Sequence, residues 1–338
     1  MPSATITAVV VAYGGSDDLA LTLATLRRQT RAFQEIIVVD NHPDQSAVAA
    51  LSSIDGVTVI ANPTNTGYAG GNALGASRAR SDYLLFINPD ARAAPDLCAQ
   101  LAHELDEDDA VAISGAQVLL PDGRCNAGDN PLHFTGLSWS GRFGSSAEDG
   151  EARDALSISG ACLMVRSIGF DELDGFNRPY FLYCEDTDLC WRARLHGWRV
   201  RYVPRAKVVH TYEFNRGRAK WRYLERNRLL MVLANYESRT IILALPALLF
   251  SEAGLWLVAI KDGWAVEKGH SYADIFRLRS WLRQQRAKVQ RGRTVGDGIL
   301  LREMAGRLDS SPLMSGFAAQ LASGAYECYR RLLLRVLT

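Results

Sequence analysis

Three apolar runs, each ending in polar residues, constrain the fold of this chain most tightly. Residues 5–12 (TITAVVVA), Ile36–Val39 and Tyr83–Ile87 are continuous rather than alternating in hydropathy. Runs of that length suit parallel strands covered on both faces. They end at Ala12-Tyr13, Asp40-Asn41 and Asn88-Pro89-Asp90. Val57–Ile60 and Val111–Leu120 add two more strands. Helical segments separate them. Ser16 is placed to cap a helix carrying Leu19, Leu23 and Leu26, and Ala47–Ser53 reads as a short helix. The Gly-, Asn- and Pro-rich stretch Asn62–Asn72 opens a helix of small residues through Arg80, and Pro95 starts a helix to about Leu105. This βαβαβ alternation predicts an α/β fold built on a doubly wound sheet.

Residues 121–156 read as a long irregular loop, and Ile158–Arg166 as a strand. An aromatic loop, Phe176–Tyr183, precedes a helix from Glu185 to His196 that Gly197 stops. Val200–Val203 and Val208–Val209 are expected as short strands, and the pattern is helical from Gly217 onward. These features divide the chain into a sheet domain, 1–235, and a helical C-terminal region, 236–338. Within that region Ile241–Ile260 is apolar but interrupted by Pro246 and Ser251-Glu252. An interfacial helix or re-entrant hairpin at a membrane fits this pattern, as does a buried hairpin or a protomer interface. Ser280–Arg293 is a basic helix, and Met314–Val336 spaces Phe317, Leu321, Tyr329, Leu332 and Leu333 at helical intervals.

Charge bears on partners. The chain of 338 residues has 38 Lys+Arg against 37 Asp+Glu. A dedicated nucleic-acid binder is strongly basic, so no nucleic-acid partner is expected. The balance hides a division. Residues 1–190 hold 26 Asp/Glu against 11 Arg and no Lys, whereas 191–338 hold 27 Lys/Arg against 11 Asp/Glu. A basic, partly apolar C-terminal region points to an anionic membrane surface. Six cysteines without a C-x-x-C pair read as reduced thiols, and the N-terminus lacks a basic n-region, so a cytoplasmic location is expected.

In open α/β sheets ligands bind beyond the carboxyl ends of the strands. The polar clusters fall there, and the loop Asn65–Asn72 offers glycines and a helix N-terminus to an anionic, phosphorylated ligand. Asp90 is a carboxylate suited to a divalent cation that bridges phosphates. His210, at the end of Val208–Val209, is either its partner or a structural histidine. Glu185-Asp186-Thr187-Asp188 begins a helix; its acids either complement the helix dipole or supply a base for an acceptor hydroxyl. Phe181, Tyr183 and Trp191 are sugar-site candidates or core aromatics.

Taken together, these segments resemble inverting family 2 glycosyltransferases of the GT-A fold, in the branch of rhamnosyl- and galactofuranosyltransferases of cell-wall and O-antigen assembly. The matching stretches are Val9–Tyr13, EIIVVDN (35–41), NTGYAGGN (65–72), DYLLFINPDARAAP (82–95), SGACLMVR (159–166), GFNRPYFLYCEDTDLCWR (175–192) and GWRVRYVPRAKVVH (197–210). The resemblance implies a GT-A mixed sheet and transfer of a sugar from a dTDP- or UDP-sugar donor to a saccharide or polyprenyl-linked acceptor. It implies donor binding by Ala12, Tyr13, Asp40, Gly67, Asn72, Asn88 and Asp90. It also implies a Mg2+ or Mn2+ site at Asp90 and His210, with Asp186 as catalytic base. Glu185, Tyr183 and Trp191 are candidate acceptor-site residues, although Trp191 and Arg192 also suit support of the base helix. Two departures stand. The metal motif is Asn-Pro-Asp with one carboxylate, and Asp44 stands where the family more often shows a Ser-x-Asp pattern. No Q-x-x-R-W motif of the processive branch occurs. Expected settings are the inner face of the plasma membrane, peripherally, with homodimer formation through the C-terminal helices left open. A non-catalytic sugar-nucleotide-binding scaffold and a sugar nucleotidyltransferase are the alternatives.

Overall fold

The computed structural model describes residues 3–14, 17–45, 47, 51, 54–211, 217–308 and 317–337. The expected Ser16 cap, most of the 47–53 helix and the Phe317 and Leu321 side chains lie outside that description. The chain groups into two compact units: 1–130, 140–193 and 198–214 in one, 131–139, 194–197 and 215–338 in the other. The helix Ala219–Asn235 groups with the C-terminal helices.

The first unit is built on a ten-stranded mixed sheet. Its strands are β1 (Ile6–Ala12), β2 (Glu35–Asp40), β3 (Val57–Ala61), β4 (Tyr83–Ile87), β5 (Ala91–Ala93), β6 (Val111–Leu119), β7 (Cys125–Ala127), β8 (Arg153–Asp154), β9 (Cys162–Arg166) and β10 (Arg199–His210). The order is β3-β2-β1-β4-β9-β6-β10-β5, with β7 on β6 and β8 on β10. β3, β2, β1 and β4 are parallel; β9 runs antiparallel between β4 and β6. The helices are α1 (Asp17–Leu26), α2 (Gly67–Ala76), α3 (Leu97–Glu107), α4 (Ser167–Glu172) and α5 (Glu185–Leu195).

Side-chain alternation along the strands builds two cores, as the two-residue period requires. Ile6, Ala8 and Val10 pack with Leu85 and Ile87 against Leu23 of α1 and Leu101 of α3. Val9, Leu84 and Phe86 pack on the other face with Phe170, Phe176 and Leu189. This explains why the apolar runs do not alternate in hydropathy. It also explains the small residues of α2. A Cβ on Gly75 would lie 2.4 Å from Val9 Cγ1, and one on Gly71 2.7 Å from Val11 Cγ1. The glycines let the helix rest directly on β1, so it begins at Gly67 rather than after a loop to Asn72.

Three local expectations need correction. Residues 199–210 form one twelve-residue strand, because a register shift between Val203 and Lys207 absorbs Pro204 without ending the pairing to β6. Pro95 precedes α3, which starts at Leu97. The irregular 121–156 stretch carries two short strands, and β5 and α4 were not legible as elements.

The second unit is helical: α6 (Ala219–Asn235), α7 (Ser238–Lys261), α8 (Ala265–Arg277), α9 (Arg279–Gly292), α10 (Asp297–Glu303) and α11 (Phe317–Leu337). α7 is one continuous helix through Pro246, not a hairpin, and is long and apolar enough to cross a membrane by length and composition. Its Glu252 is bound by Arg228 of α6 and by Lys268 and Tyr272 of α8. Burial opposes the charge of Glu252, but these partners outweigh it and hold its carboxyl down to about 2.

A Gly75→Ala chain should be about 1–3 kcal/mol less stable in urea unfolding, since α2 must lift off Val9 to admit the methyl group. An unchanged midpoint would show that the contact is not needed.

Candidate active site

Because β1 pairs in parallel with β2 and β4, their carboxyl ends meet along one edge, with Ala12 beside Asp40. Asp40 is fully buried. Its carboxylate accepts the N–H groups of Gly14 (3.4 Å), His42 (3.0 Å) and Ala47 (2.8 Å). It therefore shapes the turn after β1 and the loop after β2 at once. Tyr13 stands out from that turn, 62% exposed, with its ring edge-on to His42 at 4.5 Å. His42 is bound in turn to Asp44.

The start of α2 is latched to this edge. Asn41 donates from Nδ2 to the Gly67 carbonyl at 2.9 Å and accepts from Asn62 Nδ2 at 2.7 Å. Gly67 has φ +69°, and a Cβ there would sit 2.2 Å from the Phe181 carbonyl oxygen, so only glycine fits. Ala69 N–H donates to that same oxygen. Asn72 is fully buried; its Nδ2 donates to the Tyr68 carbonyl, and its Oδ1 has no hydrogen-bond partner among the described residues.

Asp90 and His210 are 120 positions apart and meet through strand pairing. β5 runs antiparallel to β10 and sets His210 opposite Ala91. His210 Nε2 lies 3.0 Å from Asp90 Oδ1 and 3.2 Å from the Asn88 amide nitrogen. One nitrogen cannot donate to the carboxylate and accept from the amide at once, so its protonation decides between them. As a donor set, carboxylate oxygen and imidazole nitrogen suit a divalent ion of the Mn2+ type. Among the described residues no cluster of three or more such side chains forms, so a cation here would complete its coordination with ligand oxygens and water.

α5 carries the acids. Asp186 is half-buried; its Oδ2 accepts the Gly160 N–H at 2.7 Å and its Oδ1 the Thr187 N–H at 2.6 Å. Burial pushes its carboxyl above the usual range, while those donors pull it back. Glu185 is buried, and its Oε2 has no hydrogen-bond partner among the described residues. Burial, and then the neighbouring Asp186 charge, push its carboxyl well above the ordinary glutamate range. Asp188 and Arg192 form a buried ion pair at 2.8 Å. Arg192 also donates to the carbonyls of Leu173 and Gly175. Trp191, 1% exposed, is core beneath α5 and does not line the site; Arg192 supports the helix. The preceding loop is strained. Phe181, Tyr183 and Cys184 have φ of 64°, 72° and 63°, and Leu182 N–H donates to the Tyr180 carbonyl in a rare γ-turn centred on Phe181.

Several positioning residues escaped sequence reasoning. Gly160 donates its N–H to Asp186 and accepts the Tyr68 hydroxyl on its carbonyl, and Thr187 and Asn41 act as described above. The Ser159-Gly160-Ala161 segment and the Asp40-Asn41 pair were the available signals.

A mixed sheet with carboxylates at the ends of its parallel strands is the layout of the GT-A fold. Residues 7–173 match the family described as Glycosyl transferase family 2, so the chain carries a domain of that family. The N-acetylglucosaminyl-diphospho-decaprenol L-rhamnosyltransferase of Mycobacterium tuberculosis is 25% identical over 308 residues, spanning 83% of this chain and 95% of its own. Rhamnosyltransferase WbbL of Escherichia coli is 37% identical over 83 residues, 21% of this chain and 31% of that protein. Among solved structures, GalNAc-T7 with UDP, GalNAc and Mn2+ superposes with a TM-score of 0.60 at 16% identity, over 70% of this chain and 49% of that one. That likeness bears on fold alone.

Glu185 carries a pH signature. Its carboxyl is raised in the fold above its unfolded value, so between the two the unfolded state binds fewer protons and stability falls as pH rises above about 4.5. A Glu185→Gln chain should match the parent in Tm below that pH and exceed it at pH 7. Parallel Tm–pH curves would mean that Glu185 is ionised in the fold.

Proposed function

We propose that the chain is a metal-dependent inverting glycosyltransferase. It moves a rhamnose- or galactofuranose-type sugar from a dTDP- or UDP-sugar to a saccharide or polyprenyl-linked acceptor in cell-surface polysaccharide synthesis. The observation that carries this reading is Asp186: a half-buried carboxylate aimed by two backbone N–H groups at the carboxyl edge of the sheet. The rhamnosyl preference and the lipid-linked acceptor lean on the mycobacterial relative, whose name specifies both.

On this reading the exposed Tyr13 ring lines the base, and Asp40 acts by fixing the turn that presents it. Gly67 and Asn72, at the start of α2, line the nucleotide, with the helix N-terminus toward the diphosphate. Asp90 and His210 would hold the divalent cation, with Asn88 beside them; when bound it neutralises charge on the departing diphosphate. Asp186 takes the proton of the acceptor hydroxyl as its oxygen bonds to the anomeric carbon. The bond from that carbon to the donor phosphate oxygen breaks, and the nucleoside diphosphate leaves with the electron pair. A single base and a single displacement invert the anomeric centre. Its raised carboxyl makes Asp186 a stronger base than an exposed aspartate. Tyr183 and Glu185 stand beside it as acceptor-side groups.

Asp186→Asn should cut kcat about 10²–10⁴-fold with little change in the donor KM, and near-full transfer in that variant would overturn the assignment. The parent's rate should also fall on acidification through the raised Asp186 value, giving an acid limb above the ordinary aspartate range. Chelation should abolish transfer and Mn2+ restore it. His210→Ala should need more Mn2+ for half-maximal rate, and an unchanged Mn2+ titration would remove His210 from the metal site.

A further inference from the structure

We propose that α7 lies in the plane of an anionic membrane, with its outward apolar face among the lipids. This deepens the lipid-linked-acceptor reading in purpose, but its evidence is separate from the active site. The exposed side chains of α7 fall on one face at helical spacing: Ile242, Leu245, Leu249, Phe250, Leu257 and Ile260. Ile242 and Leu257 are each 70% exposed. Between Arg239 and Lys261 the single ionisable residue is Glu252, which turns inward. The stripe from Ile242 to Ile260 is about 27 Å long at the helical rise of about 1.5 Å per residue. An apolar surface of that extent, left bare, marks an interaction site.

The inward face is what keeps the helix from spanning. Glu252 holds Lys268, which is fully buried, and is also bound by Arg228 and Tyr272. Ser251 Oγ meets the Tyr326 hydroxyl of α11 at 2.7 Å, and the Tyr329 hydroxyl donates to the Leu243 carbonyl at 2.7 Å. A bilayer-spanning α7 would break these bonds and strip Lys268 and Arg228 of a shared carboxylate. A helix lying flat keeps them all and wets only its polar side.

Charge selects lipid over a second copy of the chain. Residues 217–338 hold 20 Lys/Arg against 10 Asp/Glu, with Glu237 and Asp262 flanking the helix. Two such units repel each other, while a surface of anionic headgroups attracts each of them. Exposed Arg279, Arg283, Lys288 and Arg291 on α9 extend this basic surplus without an acid in that helix.

The test is flotation of the full chain with vesicles of phosphatidylcholine containing phosphatidylglycerol, against phosphatidylcholine alone. The parent should float with the anionic vesicles, less so at high salt, and alkaline carbonate should release it. A Leu249→Glu/Leu257→Glu chain should lose about tenfold or more of that binding, because two charges enter the apolar face. Its Tm and its transfer to a water-soluble acceptor should stay at parental values, which separates this proposal from the catalytic one. A parent that does not float, a variant that floats equally, or retention after carbonate would each overturn the proposal. So would a parent dimer that the double substitution makes monomeric without any lipid binding, since a second copy then covers the stripe.

Discussion

The buried Asp188–Arg192 pair joins parts of the catalytic unit that share no sequence neighbourhood. Both side chains are within 2% of full burial, and losing either partner would leave a charge stranded, at a cost of about 3–5 kcal/mol. Arg192 gathers the carbonyls of Leu173 and Gly175, while Asp188 accepts from Asn177 and Tyr180. The chain from 173 to 180 is thereby fixed against α5, and the γ-turn at Phe181 follows at once. The Phe181 carbonyl then receives Ala69 N–H at the start of α2. One ion pair thus relates the helix of Asp186 to the helix that begins at Gly67. The strain at Phe181, Tyr183 and Cys184 persists because both of its ends are held.

Four carboxyl groups show how environment divides one chemistry into several. Asp40 is satisfied by three backbone donors, and Asp188 by a guanidinium, an amide and a phenol. Asp186 has two N–H partners and partial access to solvent. Glu185 is buried with one oxygen unbonded, and burial pushes its carboxyl well up. Three of the four lie within four consecutive residues of a helix start, so their spacing says nothing about which is structural. The 3.6-residue period does the sorting. Asp188 turns into the core with Arg192 four positions on, while Asp186 turns toward Gly160.

The strands at the heart of the sheet were legible because two-sided burial writes itself as unbroken apolar runs, and Tyr83–Ile87 matches residue for residue. Element ends were legible where a polar cluster interrupts such a run. β10 was not, because Pro204 signals a break from sequence, whereas the sheet accommodates it as a register shift. The meeting of Asp90 with His210 depends on β5, three residues long and too short to carry a pattern. Only likeness to a family could join those two residues beforehand. Trp191 was ambiguous for a different reason: an aromatic in an acidic helix fits a sugar platform or a core, and only burial separates them. Glu252 read as a charge too costly for an apolar helix, since its partners lie 24 and 16 positions away on other helices.

The division of charge gives the site its remaining logic. The first 190 residues contain no lysine and 26 acids, yet on the proposed reading their strand ends must receive a diphosphate. Such a ligand is repelled unless each nearby carboxyl is neutralised or matched. Burial favours the neutral form of Glu185, backbone N–H groups match Asp40 and Asp186, and the N-terminus of α2 adds partial positive charge. Asp90 is different, for its partner is an imidazole that shares the same nitrogen with Asn88. On the proposed reading the Asp90–His210 pair, a carboxylate with an imidazole nitrogen beside it, is where a cation would supply counter-charge for the diphosphate.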